Sequence, residues 1–310
     1  MGTLPEPILG IPVRLEQIDG LAPNNAKPPW LWLKPPAGTE FEQVRSLLDQ
    51  CELDTVCQVA QCPNQWECFS SRVATFLIMG SHCTRNCRFC AVEPGAPGPL
   101  DPEEPVRVAE ATRFLGLRYV VVTSVTRDDL ADGGARFFAK TIRAIREKNP
   151  LTLVEVLIPD FKGNAEALEV VVAAAPDVLN HNIETVPRLY PSVRPGAVYE
   201  RSLDLLGRAK SRCASSVAVK SGLMLGLGEF PHEIRRTLED LLNAGCSMLT
   251  LGQYLQPSEQ QIPVERYVPP EEFDYWKRVA NEMGFPRVAS SPLVRSSYHA
   301  EDLFRGPTGT

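Results

Sequence analysis

The sequence predicts an α/β fold, a partial (β/α)6 TIM-like barrel with N-terminal and C-terminal extensions covering the openings. Three observations carry that expectation. Six short apolar runs alternate with six stretches of helical periodicity. The runs are nearly continuous in apolar residues, the habit of parallel strands covered on both faces. The length, 310 residues with 44% hydrophobic and 23% charged, suits one barrel with additions.

In order along the chain, residues 1 to about 38 are rich in Pro and turn formers, and KPPWLWLKPP excludes a regular helix or a central strand there. From 39 to 50, TEFEQVRSLLDQ reads as a helix, with Thr39 as N-cap, Glu42 as capping-box partner, and Val44, Leu47 and Leu48 on one face. The strands are expected at 73–80, 119–125, 153–160, 178–184, 219–228 and 248–255, and the helices near 103–116, 134–148, 164–174, 200–211, 232–244 and 270–283. Closure with eight units would need two more strands. The domain reading is therefore 1–71 as an N-terminal extension, 72–285 as the partial barrel and 286–310 as a C-terminal extension. In such barrels the chemistry collects at the carboxyl ends of the strands.

A net charge of -6 argues against a nucleic-acid binder, whose affinity comes from neutralising phosphates. With no run of 18 apolar residues and no secretory, transit or acylation pattern at the start, the expectation is a cytoplasmic protein with no membrane partner.

Six of the nine cysteines fall between Cys57 and Cys90. A stretch of that length should hold about one at uniform density, so they form a local device, and in a reducing compartment clustered thiols bind metal. Cys51, Cys213 and Cys246 read as ordinary small buried side chains. Cys83, Cys87 and Cys90, in C-x3-C-x2-C spacing, follow the first barrel strand. Three thiolates on a cubane of four irons leave one iron open to a substrate or cofactor. An electron-transfer ferredoxin would fill all four positions, and a zinc site would want a second short pair. Cys57, Cys62 and Cys68, in C-x4-C-x5-C spacing, offer a second trio fifteen residues upstream of Cys83, so both could face one barrel mouth.

The C-x3-C-x2-C loop after a first strand resembles the radical S-adenosylmethionine (SAM) superfamily, and its combination with C-x4-C-x5-C resembles the lipoyl synthase family. The likeness extends through CPNQWEC (62–68), ATFLIMG (74–80), CTRNCRFC (83–90), TSVTRDDLADGGA (123–135), EVLIPDFKG (155–163), PDVLNHNIETVPRLYPSVRPGA (176–197), KSGLMLGLGE (220–229), LTLGQYLQPS (249–258) and PLVRSSYHA (292–300). The resemblance implies two 4Fe-4S clusters: a SAM-cleaving one on Cys83, Cys87 and Cys90, and an auxiliary one on Cys57, Cys62 and Cys68 with a serine of Arg295-Ser296-Ser297-Tyr298 as fourth ligand. That serine is carried to Ser297, with Ser296 as the alternative. An alkoxide matches iron-sulfur less well than thiolate and would let go when the cluster is attacked.

The resemblance further implies insertion of sulfur at C6 and C8 of an octanoyl chain on a lysine of a lipoyl carrier domain, with two SAM per lipoyl group and the auxiliary cluster as sulfur donor. The implied partners are 2-oxoacid dehydrogenase E2 subunits or the glycine cleavage H protein, a low-potential electron donor, and proteins that rebuild the spent cluster. Acid-base chemistry alone cannot functionalise a saturated carbon, which has no acidic proton to offer. For SAM, the strand-end candidates are Thr123, Ser124, Asn182, Glu184, Lys220 and Gln253, by hydrogen-bond inventory. His181 and His299 read as structural. The glycines at 222, 226 and 228 lack the order and context of a dinucleotide loop, and Gly133-Gly134 reads as a turn.

Two departures from the family pattern are Arg72-Val73 and Ser291, each where glycine is usual at one position, which puts local backbone geometry in question. The competing readings are a radical SAM enzyme that inserts sulfur into a free small molecule, like biotin synthase, and a non-enzymatic iron-sulfur carrier or redox sensor.

Overall fold

The structure is a computed structural model that describes residues 27–32, 40–70 and 73–306. Thr39, Arg72 and most of the Pro-rich N-terminal stretch lie outside the described residues. The fold is an open sheet of eight strands in the order β1 (Asp54–Thr55), β2 (Thr75–Ile78), β5 (Tyr119–Ser124), β6 (Leu153–Leu157), β7 (Val178–Asn180), β8 (Ala218–Leu225), β9 (Met248–Gln253) and β10 (Arg287–Ser290). All neighbours are parallel except β1, which runs antiparallel to β2. Its two edges do not pair, so this is a partial barrel. A two-stranded ribbon, β3 (His82–Cys83) with β4 (Glu93–Pro94), stands apart.

Helices follow the strands as crossovers: α4 (Glu104–Leu115), α5 (Ala135–Lys148), α6 (Ala165–Ala173), α8 (Tyr199–Arg212), α9 (Pro231–Asn243) and α10 (Pro270–Met283). They bury one face each, as Phe138, Ile142 and Ile145 do on α5. Upstream lie α1 (Glu40–Gln50), α2 (Val56–Val59) and α3 (Gln65–Ser70). The short α7 (Tyr190–Val193) sits between β7 and α8, and α11 (Ala300–Arg305) ends the described chain.

The six expected strands and the helices between them are present, with ends trimmed by a few residues. Two sheet members have no counterpart in the sequence reading. The first, β1, is two residues long, and β10 alternates half-buried and buried positions, so neither shows the continuous apolar signature of a doubly covered strand. The antiparallel and parallel edges thus recruit residues 54–55 and 287–290, which carry the segments flanking the barrel onto its rim. Of the two departure sites, Arg72 lies outside the described residues, and Ser291 is not among the residues with positive φ, so the glycine lost at 291 leaves no strain there. Of the three separate cysteines, Cys246 is buried and Cys51 and Cys213 are half-buried.

Candidate functional site: two cysteine trios on one barrel mouth

Beyond the end of β2 the chain turns out through Met79 and Gly80, at φ 70° and 92°, and enters the loop of the later trio. The β3–β4 ribbon closes the base of that loop, helped by the Gly95 N–H donating to Cys83 O at 2.9 Å. Within it Cys83 Sγ accepts from the backbone N–H of Thr126 at 3.3 Å and of Arg85 at 3.4 Å, and Cys90 Sγ accepts from Val92 at 3.5 Å. The Val92 donor works against the burial of Cys90.

The loop is tied to the strand ends by charge. Arg85 donates through Nε and Nη2 to the two oxygens of Asp128, at 2.8 and 3.0 Å, and through Nη2 to Asp160 at 2.5 Å. Asp160, fully buried, also pairs with Arg201 from α8 at 3.2 Å. Burial works against the Asp160 carboxylate, but the Arg85 guanidinium outweighs it and holds the pKa down at about 2. The neighbouring Arg127 forks onto Asp129 and donates to Met79 O, tying the TRDD segment to the turn that launches the loop.

The earlier trio comes from the helical corner after β1. Thr55 caps α2, accepting from Gln58 N–H at 3.3 Å, and places Cys57 inward. The Cys62 N–H donates back to Cys57 O at 3.0 Å, and α3 carries Cys68. Burial pushes the Cys57 thiol up to about 11, with the charge of Cys62 adding to it. Cys68 is pushed up further, by burial and then by Cys57 and Cys62. In the later trio burial raises Cys87 and takes Cys90 to about 12, with the other cysteines contributing. The members of each trio therefore feel one another, and neither trio can ionise fully without added positive charge, which iron would supply. Among the described residues no three Cys, His, Asp or Glu side chains converge on a single metal ion. A cubane takes one thiolate per iron, so its donors stand around a volume and need no common point.

Members of both trios line one cavity of about 490 Å³ at the carboxyl ends of the strands. Cys57, Cys62, Cys83, Cys87 and Cys90 line it, as do Ser296 and Ser297, while Cys68 is not on the lining. Of the strand-end candidates for SAM, Thr123, Ser124, Asn182, Glu184 and Gln253 are on the lining. Ser124 Oγ and Asn182 Oδ1 are buried with no hydrogen-bond partner in the chain, which suits a polar guest. Glu184 sits at φ 66°, held by its N–H to Gly222 O at 2.9 Å. Burial raises its carboxyl against the pull of Arg194.

Three candidates are engaged within the protein. Lys220 is off the cavity, fully buried and paired with Glu155, because its β8 position points under the floor. The amide of Gln253 is spent on backbone: Nε2 donates to Tyr254 O and Arg266 O, and Oε1 accepts from Val268 N–H at 2.7 Å. It braces the 264–268 loop. Thr123 Oγ1 donates to Leu157 O at 3.0 Å.

The sequence reading passed over several residues now seen on the wall, Arg85, Arg194 and Arg295, and His181, read there as structural, lines it too. Arg194 spends Nη1 on Asn182 O, Ile183 O and the Tyr190 hydroxyl, leaving a buried Nε without a partner. It faces no carboxylate at ion-pair distance among the described residues, so its charge is available to an anionic guest. The available signal was a lone basic residue inside PSVRPGA, too weak without the fold. His181 uses both ring nitrogens, toward Ile158 O at 2.8 Å and Ser202 Oγ at 2.9 Å, which agrees with a structural role. The glycine run after β8 is a turn closed by the Glu229 carboxylate, which accepts from the N–H groups of Gly226 and Leu227.

A partial barrel with a three-cysteine loop after its first parallel strand defines a radical SAM enzyme, and a model of the radical SAM superfamily matches residues 77–241. That class brings a 4Fe-4S cluster and SAM. The chain is 58% identical to the lipoyl synthase of Desulfotalea psychrophila over 90% of this chain and 93% of the relative, and 54% identical to that of Methylococcus capsulatus over 96% and 91%. It belongs to the lipoyl synthase family. Among solved structures, the FeFe-hydrogenase maturase HydG from Carboxydothermus hydrogenoformans shares the fold, with a TM-score of 0.57 at 15% identity over 86% of this chain and 68% of that one. No helix among the described residues is long and apolar enough to cross a membrane.

Proposed function

We propose that the protein inserts two sulfur atoms, at C6 and C8, into an octanoyl chain amide-linked to a lysine of a lipoyl carrier domain. The observation that carries this reading is the shared cavity: members of both cysteine trios and the Ser296-Ser297 pair line one volume. Groups held at the two trios would then both border the space that a substrate chain would fill. Cys83, Cys87 and Cys90 would hold the SAM-cleaving cluster, and Cys57, Cys62 and Cys68 with Ser297 would hold the auxiliary cluster. When bound, these clusters and SAM supply the electron, the hydrogen-abstracting radical and the sulfide that unactivated carbon demands.

The side chains bind, orient and enclose. Ser124 and Asn182 offer unsatisfied polar atoms to SAM, and Arg194 offers a buried cation suited to a carboxylate. Glu184 lies beside them. Phe89, Val92, Leu223 and Met224 give the wall apolar surface for an acyl chain and keep water from the reacting carbon. The partners follow from the chemistry: an octanoylated carrier such as an E2 subunit or the H protein, a low-potential reductant, and a supply of iron and sulfide. Thiolate-held clusters of this kind belong in the reducing cytoplasm.

The test is anaerobic incubation of the reconstituted protein with an octanoylated carrier peptide, SAM and dithionite, followed by mass spectrometry. The expected result is gain of one and then two sulfurs with two 5′-deoxyadenosines per product. A peptide that gains no sulfur while SAM is cleaved defeats the proposal.

A further inference from the structure

The segment Ser291–His299, which carries Ser296 and Ser297, is held like a strap with two unlike fastenings. At its start it lies flat on β9: Ser291 N–H donates to Leu251 O and Gln253 N–H to Pro292 O, each at 3.2 Å. A Cβ on Gly252 would run into the Val294 carbonyl, so only glycine permits that approach. In its middle, Asn64 donates from Nδ2 to Leu293 O at 2.6 Å, and Asn64 is 1% exposed. Beyond the serines, Glu67 accepts from the Tyr298 hydroxyl at 2.8 Å and faces His299 Nε2 at 3.3 Å. The Glu67 and His299 side chains are exposed, 47% and 55%, and Tyr298 is half-buried.

Both partners on the far side, Asn64 and Glu67, come from the segment between Cys62 and Cys68. The strap is therefore fastened to the peptide that bears two thiols of the earlier trio. We propose that Asn64 and Glu67 are positioning residues that set Ser297 against the auxiliary cysteine trio, the buried Asn64 contact acting as a permanent anchor and the exposed Glu67–Tyr298 contact as a latch. The proposal rests on the reading of Ser297 as fourth ligand.

The asymmetry has a physical consequence. A buried, directed hydrogen bond is costly to leave unmade, whereas a solvent-exposed one exchanges readily with water. The strap can therefore loosen beyond Ser297 while staying seated at Leu293. A ligand that must hold one iron and then leave it is placed between the two. Tyr298, the last residue of Arg-Ser-Ser-Tyr, thereby acquires a role through its hydrogen bond to Glu67.

The experiment uses the full-length, reconstituted protein with saturating SAM, so that the open iron of the other cluster is covered. Loss of a single iron to a chelator is followed by the electron paramagnetic resonance signal of the three-iron form, and hydrogen exchange reports the amides of 293–299. Tyr298→Phe and Glu67→Ala are expected to keep the starting iron content, lose one iron about fivefold faster, and exchange faster beyond Ser297. Glu67→Gln, which still accepts from the hydroxyl, should stay near the parent rate. Parent-like iron loss and exchange in both Tyr298→Phe and Glu67→Ala, alongside rapid loss in Ser297→Ala, overturns the latch and leaves the ligand reading standing. Parent-like loss in Ser297→Ala overturns both.

Discussion

The Lys220 ammonium lies 2.9 and 3.0 Å from the two oxygens of Glu155, and neither side chain is exposed. Asn180 and the Tyr119 hydroxyl donate to the same carboxylate, so four strands, β5 to β8, meet on one buried charge pair inside the barrel. Removing one member strands the other. Lys220→Met should cost about 3–5 kcal/mol in denaturant unfolding, while the double variant with Glu155→Leu should recover much of it. A loss under about 1 kcal/mol in the single variant would show that the pair carries little.

Arg85 makes a similar closure at the surface of the site, joining the cluster loop to Asp128 after β5 and Asp160 after β6. Its fork cannot be copied by an ammonium. Arg85→Met leaves the fully buried Asp160 with Arg201 alone, and should destabilise by about 3 kcal/mol and lower the iron retained after gel filtration. Arg85→Lys should fall between the two in unfolding, and equal stability of all three proteins would remove Arg85 from this role.

His181 gives a pH dependence whose sign is fixed. Full burial and then the Arg194 cation push its imidazole down to about 4 from 6.5. Above 6.5 neither folded nor unfolded chain binds that proton, so stability is flat. Between 6.5 and 4 only the unfolded chain takes it up, so stability falls with falling pH by about 2 kcal/mol at pH 5. Parallel unfolding curves of parent and His181→Gln at pH 7.5 and 5 measure the difference; Gln keeps an acceptor for Ser202, and its loss should be smaller by that amount. An identical loss in both excludes the imidazole as the cause.

What was readable in the sequence divides by the kind of signal. Strands such as YVVVTS in β5 and MLTLGQ in β9 announce themselves because both faces are covered and all but the terminal Gln253 are apolar or small. The edge strand Arg287–Ser290 does not, since it is stabilised by its neighbour's backbone more than by its own composition. The cysteine trios were legible by spacing because local spacing survives folding. Lys220 was misjudged as a cavity residue for the opposite reason: its register on β8 decides whether it points up to the mouth or in to Glu155, and one residue of register is invisible in an apolar run. Arg194 reaches the carbonyls of Asn182 and Ile183, 12 and 11 residues back, and Asn64 that of Leu293, 229 residues on, which no local pattern encodes.

Gly222 marks where the cavity floor has been kept bare. A Cβ there would stand 2.8 Å from both Asn182 Oδ1 and Thr250 Oγ1, and Asn182 Oδ1 is one of the unsatisfied atoms offered to the guest. Gly222→Ala must therefore push the Asn182 amide out of place or occupy the space itself. Either way the loss falls on binding, and SAM affinity in equilibrium dialysis of the reconstituted protein should weaken about tenfold, or about 1.4 kcal/mol. Gly207→Ala on α8, where a Cβ meets nothing closer than 4.0 Å, serves as the control and should bind as the parent does. If both variants bind SAM alike, the floor formed by Asn182, Gly222 and Thr250 is not where SAM lies.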